Sequence, residues 1–261
     1  MPTRDHDFAF PSDFDISKPD PLDESYKCQH FAGTELDHPG ITDESRRLHG
    51  EGFRAAGFVD LRALDERGRM TSDVDKTLTF PTRYYVAVDP GEPHHRCAAR
   101  KVFGEGDDYT TLPGYRVCES TMWSVGREYL ERWRHGPVVE ISALARTRGA
   151  PARGVYEIFK RMVHEGMVTG ELWFFSIVTD THASLSALIG LQAMQVIGPD
   201  IPITGTGITP GVMLRPVVLN PAELFETIRR EADVTTNPRL RRRLEHYAAY
   251  GLDGAPPAKT A

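Results

Sequence analysis

Cysteine is scarce in this sequence, with Cys28, Cys97 and Cys118 as its three examples in 261 residues. Their odd number and wide spacing predict reduced thiols rather than a disulfide framework. Long apolar runs are also missing, since no stretch approaches the roughly 18 residues that a membrane span needs. The first residues are acidic and punctuated by proline, unlike a signal peptide. We therefore expect a cytoplasmic protein without a membrane span.

A positive charge balance is absent too, because the formal net charge is -6 at pH 7. Nucleic-acid binding relies on clustered Lys and Arg that neutralise phosphates, so we expect no nucleic-acid partner. His94, His95 and Cys97 stand close together after a Pro-rich turn, but no second ligand pair follows at a matching spacing. The sequence therefore predicts no metal site.

The composition is that of an ordinary globular protein, with 40% hydrophobic and 26% charged residues. Residues 1–40 have no clear period and predict an irregular arm. Residues 41–219 carry the periodic segments of a main domain, and residues 220–261 predict a helical extension and a tail. The order of elements favours an α/β (α+β) fold with one mixed, mostly antiparallel sheet and helices on both faces.

Hydrophobic periodicity and turn residues predict the individual elements. Predicted strands are Arg83–Val88 and Arg96–Phe103 as a hairpin, Val138–Ala145, Glu171–Val178, Gln195–Ile197 and Val212–Val218. Predicted helices are Asp43–Ala56, Ser120–Arg134, Pro151–Gly166 and His182–Ile189, with further helix starts at Asn220-Pro221 and Asn237-Pro238. The segment TLPGYR is predicted to be a loop.

The unit VVEISALARTRGAPARGVYEIFKRMV joins a strand to a helix through an Arg- and Gly-containing loop. Strand alternation predicts that Glu140, Ser142 and Leu144 share one face. The unpaired amides at the helix start suit a phosphate or a phosphopantetheine arm. This unit is therefore the candidate site.

The loop reads Arg146-x-x-Gly149-x-Pro151 and resembles the acyl-CoA-binding segment of GNAT acyltransferases, which reads Arg/Gln-x-x-Gly-x-Gly/Ala. Pro151 departs from that pattern and has no N–H to donate. The resemblance implies no tightly bound cofactor and an acyl thioester of CoA or of acyl carrier protein as co-substrate. The residues implied to bind it are Arg146, Arg148, Gly149, Arg153 and Gly154.

Other segments resemble a narrower branch, the acyl-homoserine-lactone synthases and the long-chain N-acyl amino acid synthases. The lactone synthases usually carry Arg directly after their Glu-x-Ser motif, where this chain has Ala143. The branch mostly uses acyl carrier protein, which brings one phosphate and no adenosine. The matching segments span about residues 42–218 and are RRLHGEGF (Arg46–Phe53), the pair Asp73 and Asp75, Arg100, VEIS (Val139–Ser142) and GLQAMQVIGPDIPITG (Gly190–Gly205).

The resemblance implies attack by an amine on a thioester carbonyl, which needs a proton acceptor and oxyanion donors. Glu140 is the predicted base or the group that positions a water to act as the base, and Ser142 is a donor to the leaving thiolate or an orienting group. Arg100 is predicted to bind the carboxylate of an amino-acid acceptor. Other predicted substrate contacts are Leu144, Trp173, Phe175, Leu188 and His182.

Three functions are consistent with this sequence. The first is an N-acyltransferase that acylates an amine such as an amino acid. The second is an autoinducer synthase that forms an acyl-homoserine lactone from S-adenosylmethionine, which the Ala143 departure disfavours. The third is a GNAT-like domain that has lost catalysis and binds or senses a ligand.

Overall fold

The computed structural model describes residues 27–33, 39–70, 80–88, 95–146, 153–178, 194–238, 241–242 and 244–245. The strands are β1 (Lys27–Gly33), β2 (Thr82–Val88), β3 (His95–Phe103), β4 (Val138–Arg146), β5 (Leu172–Val178), β6 (Gln195–Val196), β7 (Ile201–Pro202) and β8 (Met213–Leu219). The α-helices are α1 (Pro39–Ala55), α2 (Pro113–Cys118), α3 (Ser124–Glu131), α4 (Arg153–Thr169) and α5 (Pro221–Val234), with short 3-10 turns at Leu61–Ala63, Glu105–Asp107 and Tyr109–Thr111.

The strands form one eight-stranded sheet in the order β1-β2-β3-β4-β5-β8-β6, and β7 also pairs with β8. The pairs are antiparallel except that of β4 with β5, which is parallel. The predicted mixed, mostly antiparallel sheet is confirmed, as is the β2–β3 hairpin. A parallel pair needs a crossover connection, and α4 supplies it between β4 and β5.

Helices α4 and α5 cover one face of the sheet because their apolar residues recur at helical spacing. Ile158 and Met162 of α4 and Leu224 of α5 pack there against Val139 and Trp173. The prediction of helices on both faces is confirmed, because a second hydrophobic core lies on the other face of the sheet. On the opposite face, Leu48 of α1 packs against Val86 and Ala98, while α2 and α3 pack beside β4 and β5.

The predicted loop TLPGYR is wrong, because Pro113–Cys118 forms α2. Proline at the first position of a helix loses no hydrogen bond, so Pro113 starts this helix rather than excluding one. The predicted start of α3 at Ser120 is also wrong. The amides of Thr121 and Met122 bond back to the Cys118 carbonyl, which closes α2 and delays α3 to Ser124.

The ends of two other helices differ from prediction. α1 begins at Pro39 rather than Asp43, one turn before the predicted cap. α4 continues past Gly166 to Thr169 and stops before Gly170, whose φ is 70°. Gly166 lies against Pro221 and Trp173, so its missing side chain serves close packing and not helix termination.

A β-bulge in β4 breaks the predicted alternation. Arg100 pairs with Ser142 and Ala98 pairs with Ala145, so two residues of β4 oppose Ala99 alone. Ala143 has a φ of 52°, which is a left-handed conformation that non-glycine residues rarely adopt. Leu144 consequently packs in the core under α4, and the prediction that it shares a face with Glu140 is wrong.

The start signal at Asn220-Pro221 is confirmed, because the Asn220 side chain accepts a hydrogen bond from the Ala222 amide at 3.0 Å. The predicted helix over His182–Ile189 and most of the N-terminal arm lie outside the described residues. Where the arm is described, the prediction of an irregular segment is wrong, because Lys27–Gly33 forms β1 and takes its backbone partners from β2. In the part of the chain that the structure describes, no helix has the length and apolar character needed to cross a membrane.

Candidate functional site

The two central strands β4 and β5 separate after a short contact. They pair through Val138–Leu172, Val139–Trp173 and Glu140–Phe174, and then both continue without further pairing to each other. We call this opening the fork, which is bounded by residues 141–146 of β4 and 175–178 of β5. β3 and β8 pair with the outer edges of the two strands, so the fork interrupts the middle of an otherwise continuous sheet.

Glu140 lies at the closed end of the fork and is 3% exposed. Burial raises the pKa of its carboxyl, although the Gly114 amide and the charge of Arg100 act in the opposite direction. The Gly114 N–H donates to Oε2 of Glu140 at 2.7 Å. A buried carboxyl with a raised pKa next to a break in a sheet has the properties of a proton acceptor in a site.

Arg100 and Ser142 face each other across β3 and β4, as their register requires. Arg100 is 2% exposed, and its Nε donates to Oγ of Ser142 at 2.8 Å. A buried guanidinium needs hydrogen-bonding partners, and this one lies near enough to Glu140 to stabilise its charged form. The structure therefore brings Glu140, Ser142 and Arg100 together on one face.

Two further polar groups lie beside Glu140. Ser176 on β5 points toward the Glu140 carboxylate. A Cβ built on Gly114 would lie 3.0 Å from Oγ of Ser176 and 3.0 Å from Oε2 of Glu140. Cys118 is 3.9 Å from the Ser176 oxygen, and burial raises the pKa of its thiol to about 11. This thiol is therefore protonated at neutral pH and is unsuited to act as a nucleophile.

The predicted apolar contacts are on the other side of the sheet from Glu140. Trp173 and Phe175 are buried with Leu144 in the core under α4. Phe174 is the β5 residue that lies opposite Glu140 in the register, and it belongs to the core under α2 and α3. An acyl chain bound on the Glu140 side could reach Leu144, Trp173 and Phe175 only through the fork.

The predicted donor-binding residues are only partly described. Arg146 ends β4 and is exposed, and Arg153 starts α4 at the same end of the sheet. Gly154 is buried with the position of its absent Cβ 2.7 Å from Sγ of Cys97, so it allows α4 to approach the sheet closely. Arg148, Gly149, Leu188 and His182, together with the pair Asp73 and Asp75, lie outside the described residues.

The sequence reasoning missed Gly114 and Ser176. A Pro-Gly pair is an ordinary turn signal, and nothing in its spacing indicates that its amide meets a glutamate 26 residues away. Ser176 stands in the apolar run LWFFSIV, where a serine two residues after Phe174 was a usable signal.

A surface groove of about 700 Å³ lies elsewhere, before the start of β4. It contains none of the predicted site residues. Its lining consists of Gly106, Asp108, Tyr109, Thr110, Glu131, Arg134, His135, Gly136 and Pro137.

No family model matches this sequence, and no curated protein matches it. Solved structures do resemble the fold. FeeM, an N-acyl amino acid synthase from uncultured soil microbes, matches 77% of this chain and 95% of its own chain, with a TM-score of 0.53 and 14% identity. BjaI, a CoA-dependent acyl-homoserine lactone synthase, matches 85% of this chain and 99% of its own chain, with a TM-score of 0.50 and 10% identity.

Both likenesses extend over more than three quarters of this chain. The predicted fold class is thereby confirmed, as is the resemblance to this branch of enzymes at the level of the fold. The chain has the GNAT fold in the form shared by an N-acyl amino acid synthase and an acyl-homoserine lactone synthase.

Proposed function

We propose that this protein is an N-acyltransferase that moves an acyl group from a thioester to an amine such as an amino acid. The observation that carries the proposal is the position of Glu140, buried at the closed end of the fork. The fork provides an opening in the sheet where a thioester arm can lie between two strands. Glu140 provides the proton acceptor that an amine nucleophile needs.

In the proposed reaction, the amine nitrogen attacks the thioester carbonyl carbon and forms a tetrahedral intermediate. Glu140, directly or through an ordered water, takes one proton from the attacking nitrogen. The carbon–sulfur bond then breaks, and the thiolate leaves and is protonated to a thiol. The products are an amide and the free thiol, so no oxidant or metal is needed for balance.

Arg100 and Ser142 support this step in the proposal. The guanidinium donates to Oγ of Ser142 from the β3 side, and the serine hydroxyl can in turn donate to the leaving thiolate or orient the substrate. The burial of Arg100 favours this orienting role. The binding of an acceptor carboxylate by Arg100 stays a prediction. The acyl contacts of Leu144, Trp173, Phe175 and Leu188 and the substrate contact of His182 also stay predictions.

For the donor, we infer a phosphopantetheine thioester carried by acyl carrier protein or by CoA. Arg146 and Arg153 lie at the open end of the fork, where the loop with Arg148 and Gly149 connects β4 to α4. A segment with this many arginines suits a phosphate. FeeM and BjaI share this fold, and BjaI is a CoA-dependent synthase.

The experiment is an incubation of the purified protein with decanoyl-CoA or decanoyl carrier protein and a panel of amino acids, followed by mass spectrometry. We expect an N-acyl amino acid together with free thiol. Release of methylthioadenosine when S-adenosylmethionine is supplied would instead support a lactone synthase. An absence of thiol release with every donor and acceptor would contradict the proposal and favour a ligand-binding domain without catalysis.

A further inference from the structure

We propose that Gly114 is a positioning residue for Glu140. Its backbone N–H holds the carboxylate at the fork, and its lack of a side chain lets α2 come close enough to do so. This inference rests on the proposed function, because it assigns the group that aims the proposed base. Glycine at this position would then be required by the site and not by the backbone.

The contact is short and direct. The Gly114 amide nitrogen lies 2.7 Å from Oε2 of Glu140, which is the length of a charge-assisted hydrogen bond. Both groups are buried, so water competes little for either of them. Of the two residues that begin α2, Pro113 has no N–H, and Gly114 therefore supplies the first amide of this helix.

The space around Gly114 admits no side chain without a displacement. A Cβ at this position would lie 3.0 Å from Cδ and Oε2 of Glu140 and 3.0 Å from Oγ of Ser176. α2 cannot readily withdraw, because Tyr115 and Cys118 anchor it in the core that contains Phe174. An added methyl group would therefore push the Glu140 carboxylate by a few tenths of an ångström.

The backbone itself does not require glycine. Gly114 lies in α2 and is not among the glycines with a positive φ. Alanine is a better helix former than glycine, so Gly114→Ala should fold while it disturbs Glu140. This separates a role in the site from a role in the fold.

The test compares Gly114→Ala with Gly40→Ala as a matched control. Gly40 is also helical, but its Cβ would meet nothing within 4 Å. We expect Gly114→Ala to lower kcat about 10- to 100-fold with a small change in KM for the thioester, as a misplaced catalytic group does. Gly40→Ala should behave as the wild type does, and both variants should keep a melting temperature close to that of the wild type.

A pH titration separates positioning from a merely structural effect. The Gly114 N–H stabilises the charged form of the Glu140 carboxyl. A weaker hydrogen bond in Gly114→Ala should therefore raise the pKa of Glu140 and move the acidic limb of the kcat/KM profile to higher pH. The Glu140 carboxyl can also be followed by carbon NMR, with its signal assigned by its loss in Glu140→Gln. That readout does not need activity, so it tests Gly114 even if the wild type transfers no acyl group and the proposed function fails.

Coupling between the two residues gives the decisive outcome. If Gly114 acts through Glu140, Gly114→Ala should not lower the residual kcat of Glu140→Gln further. The inference would be overturned if the two substitutions lowered kcat by fully additive amounts in free energy. It would also be overturned if the titration of Glu140 were unchanged in Gly114→Ala. If Gly114→Ala alone is insoluble, the double variant with Ser176→Ala removes one of the two oxygens that crowd the added methyl group. The Glu140 titration of this double variant is then compared with that of Ser176→Ala alone.

Discussion

At the scale of single residues, two glutamates of this protein have side-chain pKa values shifted in opposite directions. Burial raises the pKa of Glu140, and its few donors do not offset that effect. Burial also acts on Glu165, but hydrogen bonds from Tyr85, Arg83 and Arg161 outweigh it and lower the pKa of that carboxyl. Glu140 thus has the environment of a functional group, whereas Glu165 has that of a structural one.

This contrast predicts opposite effects of two isosteric substitutions. Glu140→Gln should lower kcat/KM about 10²- to 10⁴-fold, because the amide cannot accept the proton. The pKa of Glu140 is higher in the folded state than in the unfolded state. Its ionisation therefore destabilises the native state as pH rises from the unfolded pKa through the folded pKa. Glu140→Gln should therefore raise the melting temperature at neutral pH, and this gain should disappear below the unfolded pKa.

Glu165→Gln is the matched control with the opposite sign. Its lowered folded pKa contributes stability above the unfolded pKa, and this contribution is lost as pH falls through the folded pKa. Melting curves across pH for both variants provide the check. A lower melting temperature for Glu140→Gln at neutral pH would contradict the argument that its charge is held at a cost to stability.

At the scale of elements, the placement of α4 on the sheet depends on a close approach at its first turn. Gly154 faces Cys97 of β3 and Ala87 of β2, and a Cβ would stand 2.7 Å from the sulfur and 3.3 Å from the alanine methyl. These atoms are in the buried core, so they have little room to move. The start of α4 is therefore tied to β2 and β3 through a missing side chain.

Gly154→Ala should destabilise the protein by about 1–3 kcal/mol through overpacking. It should also raise the KM of the thioester donor if the start of α4 helps to bind it. The additional change Cys97→Ala removes the nearest atom and should recover much of the lost stability. Urea denaturation and initial rates measure both effects, with Cys97→Ala alone as the control. If Gly154→Ala is as stable as the wild type, α4 is not held by this contact.

At the scale of the whole molecule, a buried ion pair connects the sheet to α4 on the face opposite Glu140. Nζ of Lys101 lies 2.6 Å from Oε2 of Glu171 and 3.1 Å from the carbonyl of Met162. The same carboxylate oxygen accepts a hydrogen bond from Nε1 of Trp173 at 2.8 Å. One polar cluster thereby joins β3, α4 and the start of β5 around the core.

Removal of one charge from this pair should be costly. Lys101→Met leaves the Glu171 carboxylate buried without its cation, and we expect a loss of about 3–5 kcal/mol in the free energy of unfolding. Lys101→Met with Glu171→Gln removes both charges and retains an acceptor for Trp173, so it should recover most of that loss. Denaturant titrations would show this, and a double variant as unstable as Lys101→Met would instead assign the effect to packing.

Much of the architecture was predictable because its signals are local. The alternation in RYYVAV, the helical spacing of Val155, Ile158 and Met162, and the cap at Asn220 each depend on neighbours in the chain. Glu140 was also named from the sequence, because VEIS resembles the Glu-x-Ser strand of a known family. The extent of α2 and α3 was not predictable, because packing decides whether the segments around Pro113 and Cys118 form a loop or a helix.

The sequence by itself determined the mixed sheet and the helices on both of its faces, because periodicity expresses these directly, and it offered Glu140 as the candidate base through the likeness of VEIS to a Glu-x-Ser strand. Only the tertiary structure decided that β4 and β5 part just after Glu140, that a bulge at Ala143 turns Leu144 to the far face, and that Gly114 holds the carboxylate. Each of these features joins residues far apart in the chain, and no local pattern records such a contact.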